Sequence, residues 1–269
     1  MSIPLILLIL VLTGFITGIM IGMFGIGGGV IFVPALIFLL PYTDIHRGEI
    51  IHFSIATSLL SGSIASSVSA VRHIIYKNTD FKKASYLIYG TIFASLVTPY
   101  IIVSIEPEIL QIFLASLLIL ISIRFFTNSG KGLKLNISSK MNISLLVSAG
   151  FIIGSVSAAS GIGGGLLYVP LLYMVCGLSH EKSIGSSSVV VSATMIFSSI
   201  GYALQVPEQT EIPFTLGYIY FPAGLAMGIT GAVGSLTGIR LFRKLNLNTV
   251  QKLFAVILIV AALKIIFEL

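Results

Sequence analysis

Charge is scarce in this sequence: 15 Lys and Arg and nine Asp and Glu are spread over 269 residues. With 56% hydrophobic residues and a mean hydropathy of +1.09, that scarcity excludes an ordinary soluble domain and places the chain in a bilayer. Long polar stretches are missing too. The longest, Thr127 to Lys140, is a linker rich in Lys, Gly, Ser and Asn, which leaves no room for a soluble catalytic domain. Cys176 is the only cysteine, so no internal disulfide is expected. The N-terminus lacks the basic region and cleavage site of a secretory signal, and Ile3 to Phe24 reads as a retained segment. No Asp or Glu lies deep inside any apolar run, which disfavours a divalent-cation or proton-coupled carrier.

What is present is a series of membrane-length runs. Apolar stretches at about residues 3–24, 51–71, 84–104, 109–126, 141–160, 183–204, 213–239 and 249–267 are each near the roughly 18 to 20 residues needed to span hydrocarbon. Two shorter pieces, Val30 to Leu40 and Leu166 to Cys176, follow glycine clusters and reach only about 16 Å as helix, half the core. The expected fold class is an all-α integral membrane protein with eight long spans and two half-helices.

The basic residues orient the chain, because Lys and Arg of short loops collect on the cytoplasmic side. Arg72, Lys77, Lys82 and Lys83 form one basic loop, Arg124, Lys131, Lys134 and Lys140 a second, and Arg240, Arg243, Lys244 and Lys252 a third. The turns between them carry Glu106, Glu108, Glu208 and Glu211 and are placed outside. Topology therefore accounts for the pI near 9.4 without nucleic acid.

The chain repeats itself. Shifted by 136, Val11 to Leu36 aligns with Val147 to Leu172, with 13 of 26 positions identical. The shared centre is GIGGG followed by VP: Gly25 to Gly29 with Val33 and Pro34, and Gly161 to Gly165 with Val169 and Pro170. A second match, IATS at Ile55 to Ser58 with IGSS at Ile184 to Ser187, needs a shift of 129, so the first copy carries an insertion around PYTDIHRGEI. The expected organisation is a first transmembrane repeat over 1–130, a cytoplasmic linker over 131–140 and a second repeat over 141–269. Since the first copy ends inside and the second begins there, an odd number of crossings per copy makes them inverted repeats. Five crossing elements, or three crossings and a re-entrant hairpin, both satisfy that parity. Inverted repeats are a common plan of secondary transporters, with the site near the midplane where discontinuous helices meet.

Broken backbone at membrane depth is tolerated only where it is buried in protein or lines a wet cavity. Glycine admits positive φ and close approach, and Pro34 and Pro170, read as structural hinges, tend to push the preceding residue out of the α region. Short helices starting near Val30 and Leu166, or at the prolines, aim their N-H groups and positive dipole ends at the glycine loops, a geometry that binds anions. The expected site comprises Gly25, Gly27, Gly28 and Gly29 with Gly161, Gly163, Gly164 and Gly165. Hydroxyls of Thr57, Ser58, Ser186 and Ser187 join them, with Ser61 and Ser188 close by. No catalytic residue, metal ligand or cofactor belongs to this expectation.

Plainer readings stand beside it. Gly14, Gly18 and Gly22 read as helix-packing contacts, and a single buried hydroxyl as often bonds to the preceding turn as to a ligand. His46, His52, His73 and His180 read as loop or interface residues, Arg72 and His73 as a helix end snorkelling to the surface, and Cys176 as packing. GIGGG lacks the βαβ unit and ribose-binding acid of a dinucleotide loop, HEKSI lacks the second histidine of a zinc protease, and no P-loop appears. The expectation is a non-enzyme.

The duplicated GIGGG-x-x-x-VP, followed by IATSLL and IGSSSVV, resembles the TauE/SafE sulfite exporter family, over essentially the whole chain. That resemblance implies a multi-pass permease of the prokaryotic inner membrane that moves sulfite or a related sulfonate or thiosulfate-class anion, often outward. The sequence departs from the family in carrying IGSS where many members have a GTS-type patch, and in the loop around Pro41 to Ile50. An anion channel, a permease for a different small solute, a metal-ion carrier and a non-transporting scaffold remain alternatives, as does assembly as a homodimer.

Overall fold

The computed structural model describes residues 2–127, 142–208, 212–241 and 247–267. The linker and the basic residues Lys131, Lys134, Lys140, Arg243 and Lys244, with Glu211, lie outside the described residues. Ten α-helices follow in order: α1 (Ile3–Phe24), α2 (Gly29–Leu39), α3 (Ile50–Ile75), α4 (Phe81–Ile102), α5 (Pro107–Thr127), α6 (Ile143–Ser160), α7 (Gly165–Pro170), α8 (His180–Ala203), α9 (Phe221–Leu241) and α10 (Leu247–Phe267). Among the described residues seven of these, α1, α3 to α6, α8 and α9, are long and apolar enough to cross a membrane, one fewer than expected, since of the span expected at 249–267 only the shorter apolar helix Ala255–Phe267 is found. The protein is an all-α multi-pass membrane protein.

The two half-helices are where they were expected, one residue earlier than Val30 and Leu166. Neither starts at its proline: Pro34 lies inside α2, and Pro170 ends α7, beyond which Leu171–Val175 continues as a π-helix. Proline removes one backbone donor, so the carbonyl four residues earlier loses its partner. At Pro170 that carbonyl belongs to Leu166, and Arg124 Nη1 of α5 donates to it at 3.3 Å. The corresponding residue of α10, Lys264, sits with its ammonium 3.8 Å over the Phe38 ring of α2. Each half's last helix thus props the other half's short helix with a cation.

One span departs from expectation. Residues 213–220 are apolar but not helical: Phe214 has φ 61° and Gly217 φ 54°, and the two-residue strands β1 (Thr215–Leu216) and β2 (Ile219–Tyr220) close a small hairpin before α9 begins. The hairpin covers the acidic end of α3. Its Tyr218 stacks edgewise on Phe53, at 5.3 Å between ring centroids, and Glu49 Oε1 accepts from the Glu208 amide at 2.9 Å. Burial, and then the charges of Glu49 and Glu208, push the Tyr218 hydroxyl up to about 12.

Glycine sets which helices meet. In lipid, helices associate through close van der Waals contact and interhelical hydrogen bonds, which small residues permit. Gly14, Gly18 and Gly22, spaced one turn apart, lie against Met227, Gly231 and Ser235 of α9, so close that a Cβ on Gly18 would overlap the Gly231 carbonyl. The second half repeats this: Gly150 and Gly154 of α6 lie against Leu87 and Thr91 of α4. The first helix of each half therefore packs on a late helix of the other. Between these pairs run α3 and α8, the most buried of the long helices. They are antiparallel, as the Ser67–Ser192 hydroxyl pair at 2.8 Å and the approach of His73 to Gly185 show.

Gly18→Val is expected to cost about 1–3 kcal/mol through overpacking against α9, read as a lower melting temperature in detergent, while Gly48→Ala, where a Cβ meets only ordinary contacts, leaves it unchanged. Arg124→Leu leaves the Leu166 carbonyl without its donor and is expected to cost about 1–3 kcal/mol in the same assay.

Candidate functional site

Two glycine breaks cross at the centre of the molecule. In the first, α1 ends on Gly25 (φ 65°) and α2 starts from Gly28 (φ 80°); in the second, α6 ends on Gly161 (φ 72°) and α7 starts from Gly164 (φ 73°) after Gly163 (φ 91°). L-residues with a Cβ avoid this region, so the chain turns from one helix into the next within three residues only because these are glycines.

The loops touch backbone to backbone. A Cβ on Gly27 would sit 2.6 Å from Gly163 Cα and from the Ile162 carbonyl oxygen, and one on Gly163 would sit 2.7 Å from Gly27 Cα. Gly29 abuts the Gly161 carbonyl and Gly165 the Gly25 carbonyl. All ten residues of the two GIGGG segments are buried. Met195 of α8, wholly buried, closes the crossing: its Sδ lies 3.1 Å from where a Gly27 Cβ would be, and its methyl reaches Gly62 of α3.

The predicted hydroxyls join the same structure, and their bonds are reciprocal. Ser58 Oγ donates to the Gly161 carbonyl at 3.0 Å, and its counterpart Ser187 Oγ donates to the Gly25 carbonyl at 3.1 Å. Thr57 Oγ1 accepts from the Tyr220 amide at 3.0 Å, just before α9, and its counterpart Ser186 Oγ accepts from the Asp80 amide at 2.8 Å, just before α4. Every one of these bonds joins one half to the other. Ser188 instead returns its hydroxyl to the Ile184 carbonyl one turn back, and Ser61 shares its own between the Thr57 carbonyl one turn back and the Gly224 carbonyl of the other half.

What the loops leave over is a set of amides. Among the described residues, no acceptor takes the N-H groups of Gly27 to Val30 or of Gly163 to Leu166. A buried amide without a partner costs about 1–3 kcal/mol, so such clusters point to a bound water or ligand. The cluster offers amide donors with the positive end of α2 behind one set, and the Gly27 and Ile162 carbonyls lie at the same crossing. Among the described residues no group of three His, Cys, Asp or Glu could hold a metal ion. Cys176, whose thiol burial pushes up to about 11, is not a ready nucleophile.

Several residues here escaped the sequence reading. Met195 has no motif to mark it. Arg124 falls in a basic loop by composition but belongs to α5. His73 sits in the last turn of α3, as expected of a helix end, but at 6% exposure it is buried and does not snorkel to the surface. The signal for His73 was available: the shift of 129 that pairs Ser58 with Ser187 pairs it with Tyr202.

Comparison with known proteins agrees with this architecture. The family described as "Sulfite exporter TauE/SafE" matches residues 10–265. A "probable membrane transporter protein" of Haemophilus influenzae is 30% identical over 265 residues, covering 97% of this chain and 98% of its own. One from Methanocaldococcus jannaschii is 30% identical over 244 residues, covering 90% and 88%. The "probable membrane transporter protein YunE" of Bacillus subtilis is 23% identical over 277 residues, covering 97% of each. No solved structure matches the chain. Duplicated glycine breaks that cross within a helical membrane protein, matched over nearly the full length, make this chain a member of the TauE/SafE sulfite exporter family.

Proposed function

We propose that this transporter carries sulfite or a related small sulfur-containing anion out across the prokaryotic inner membrane by alternating access between two inverted repeats. The observation that carries this reading is the pair of open amide clusters at the glycine crossing, Gly27 to Gly29 and Gly163 to Gly165. A tetrahedral or pyramidal oxyanion presents several acceptor oxygens within a small radius, which suits converging N-H groups. The hydroxyls of Ser58 and Ser187 fix the two loops to the opposite repeat, and Thr57 and Ser186 next to them tie α3 and α8 to the residues just before α9 and α4.

The crossing is closed by Met195 and by direct backbone contact, so the ion enters when the repeats rock apart and Met195 withdraws. That closure favours a carrier over a channel, because no continuous path runs through the centre. The Ser58 and Ser187 bonds that pin the two loops both span the halves, so moving one half against the other alters both loops together. An inside-negative potential supplies about 2.3 kcal/mol per charge per 100 mV for anion exit, roughly a 50-fold ratio for a monovalent ion, so export needs no coupling ion.

Proteoliposomes loaded with sulfite and polarised with valinomycin test the function: efflux is expected to saturate with substrate and to rise with inside-negative potential, and efflux indifferent to voltage contradicts the uniport. Gly27→Ala tests the site, since its Cβ forces the two loops apart. Loss of flux from a monodisperse, folded protein is expected; unchanged flux removes the crossing from the transport path.

A further inference from the structure

Beside the crossing, at the end that bears the basic residues Arg72, Lys77 and Arg240, lies a cavity of about 350 Å³ lined by Gly22, Met23, His73, Asn78, Glu181 and Arg240, among others. His73 is the unusual member. Its side chain is more than nine-tenths buried, and neither ring nitrogen has a hydrogen-bond partner among the described residues; the Gly22 carbonyl faces the ring outside hydrogen-bond geometry. A buried imidazole without a partner beside an open space is a donor waiting for a ligand or water.

A line of small and hydroxyl-bearing residues leads inward from it. Ser69, Ser66 and Gly62 precede His73 by four, seven and eleven residues on α3, which places all four on one helical face. Gly62 ends that line against the Gly27 carbonyl and Met195, at the crossing itself. Ser66 and Ser69 are wholly buried, and their hydroxyls, like the His73 ring, have no partner. Three consecutive unpartnered polar side chains on one face, between a cavity and a closed centre, are hard to reconcile with a dry packed interior.

The other half keeps only part of this line, since the shift of 129 pairs Gly62 with Val191 and Ser66 with Met195. Ser198 and Tyr202 are the counterparts of Ser69 and His73 by the shift of 129, and Ser198 is likewise buried and without a partner. Tyr202, with no exposure at all, donates its hydroxyl to the Ala158 carbonyl at 3.0 Å, and Ala158 is the counterpart of Gly22 by the shift of 136. Beyond Tyr202, Gly217 of the hairpin packs directly on its carbonyl and the Tyr218 amide donates to that carbonyl at 3.3 Å.

We infer that the cavity is the cytoplasmic mouth of the anion path, that His73, Ser69 and Ser66 line its way to the glycine crossing, and that Tyr202 shuts the matching path at the opposite face. The ligand class is a small oxyanion, met first by the Arg240 guanidinium and passed to the N-H and O-H donors of α3. The inference rests on the transport reading and extends it, by assigning which end is open and which residues conduct.

The test is side-specific cysteine labelling in a Cys176→Ser background. Ser69→Cys is expected to react with a membrane-impermeant methanethiosulfonate applied to inside-out vesicles about tenfold or more faster than Ser198→Cys does from either face. Adding His73→Tyr to the Ser69→Cys variant is expected to abolish that reaction, whereas adding His73→Gln preserves it. Ser66→Cys gives an independent reading of the same path where a His73 variant fails to fold. Labelling of Ser69→Cys only from the opposite face, or no faster than Ser198→Cys, overturns the inference. Because labelling needs no substrate, side-specific reaction without sulfite flux retains the path and rejects the sulfite reading; flux without that reaction does the reverse.

Discussion

A polypeptide that interrupts its helix inside a membrane frees N-H and C=O groups that need partners, and this protein meets part of that need by making its two interruptions answer each other. The carbonyls of Gly25 and Gly161 take hydroxyl protons from Ser187 and Ser58 of the opposite half, and the Leu166 carbonyl freed by Pro170 takes Arg124. The amides of both breaks are left over. On the proposed reading, these open amides are what draws negative charge to the centre.

The surrounding helices follow from the need to bring the two breaks together. Backbones approach within contact distance only where both sides lack a Cβ, so Gly27 meets Gly163, and the outer helices use the same device where α1 meets α9 and α6 meets α4. Since each first helix packs on the other half, neither half is a self-contained bundle. A rigid-body movement of one against the other acts on shared surfaces: Ser58, Thr57, Ser186 and Ser187 sit on α3 and α8, the pair that runs through the middle and carries both pinning bonds. The two ends differ along this line, where Gly62, Ser66 and His73 stand opposite Val191, Met195 and Tyr202, and in our proposal the larger side chains shut the second path.

Much of this was legible in the residues. GIGGG-x-x-x-VP announced both the breaks and the duplication, and the short apolar pieces after it had the length of half-helices. The pairing of Thr57 and Ser58 with Ser186 and Ser187 followed from alignment of the copies, although the alignment was silent on which carbonyl or amide each would meet. Those partners depend on the register between halves, which is set by packing across the interface. Hydropathy misplaced the start of α9 because Phe214, Leu216 and Tyr218 are apolar, while the turn is made by backbone angles at Phe214 and Gly217. Burial of His73 was hidden because a histidine among basic residues in the last turn of a helix suggests the surface, whereas α8 packs against it at Gly185.

The claim on which the account turns is that the two glycine breaks together form the anion site. Determination of the protein's structure with sulfite bound, in a lipid environment, tests it most directly. The account predicts an ion within hydrogen-bond distance of the amides of Gly27 to Gly29 and Gly163 to Gly165, with Met195 displaced from its present contact with both loops. An ion found away from the crossing, with Gly27 and Gly163 still in contact, contradicts it.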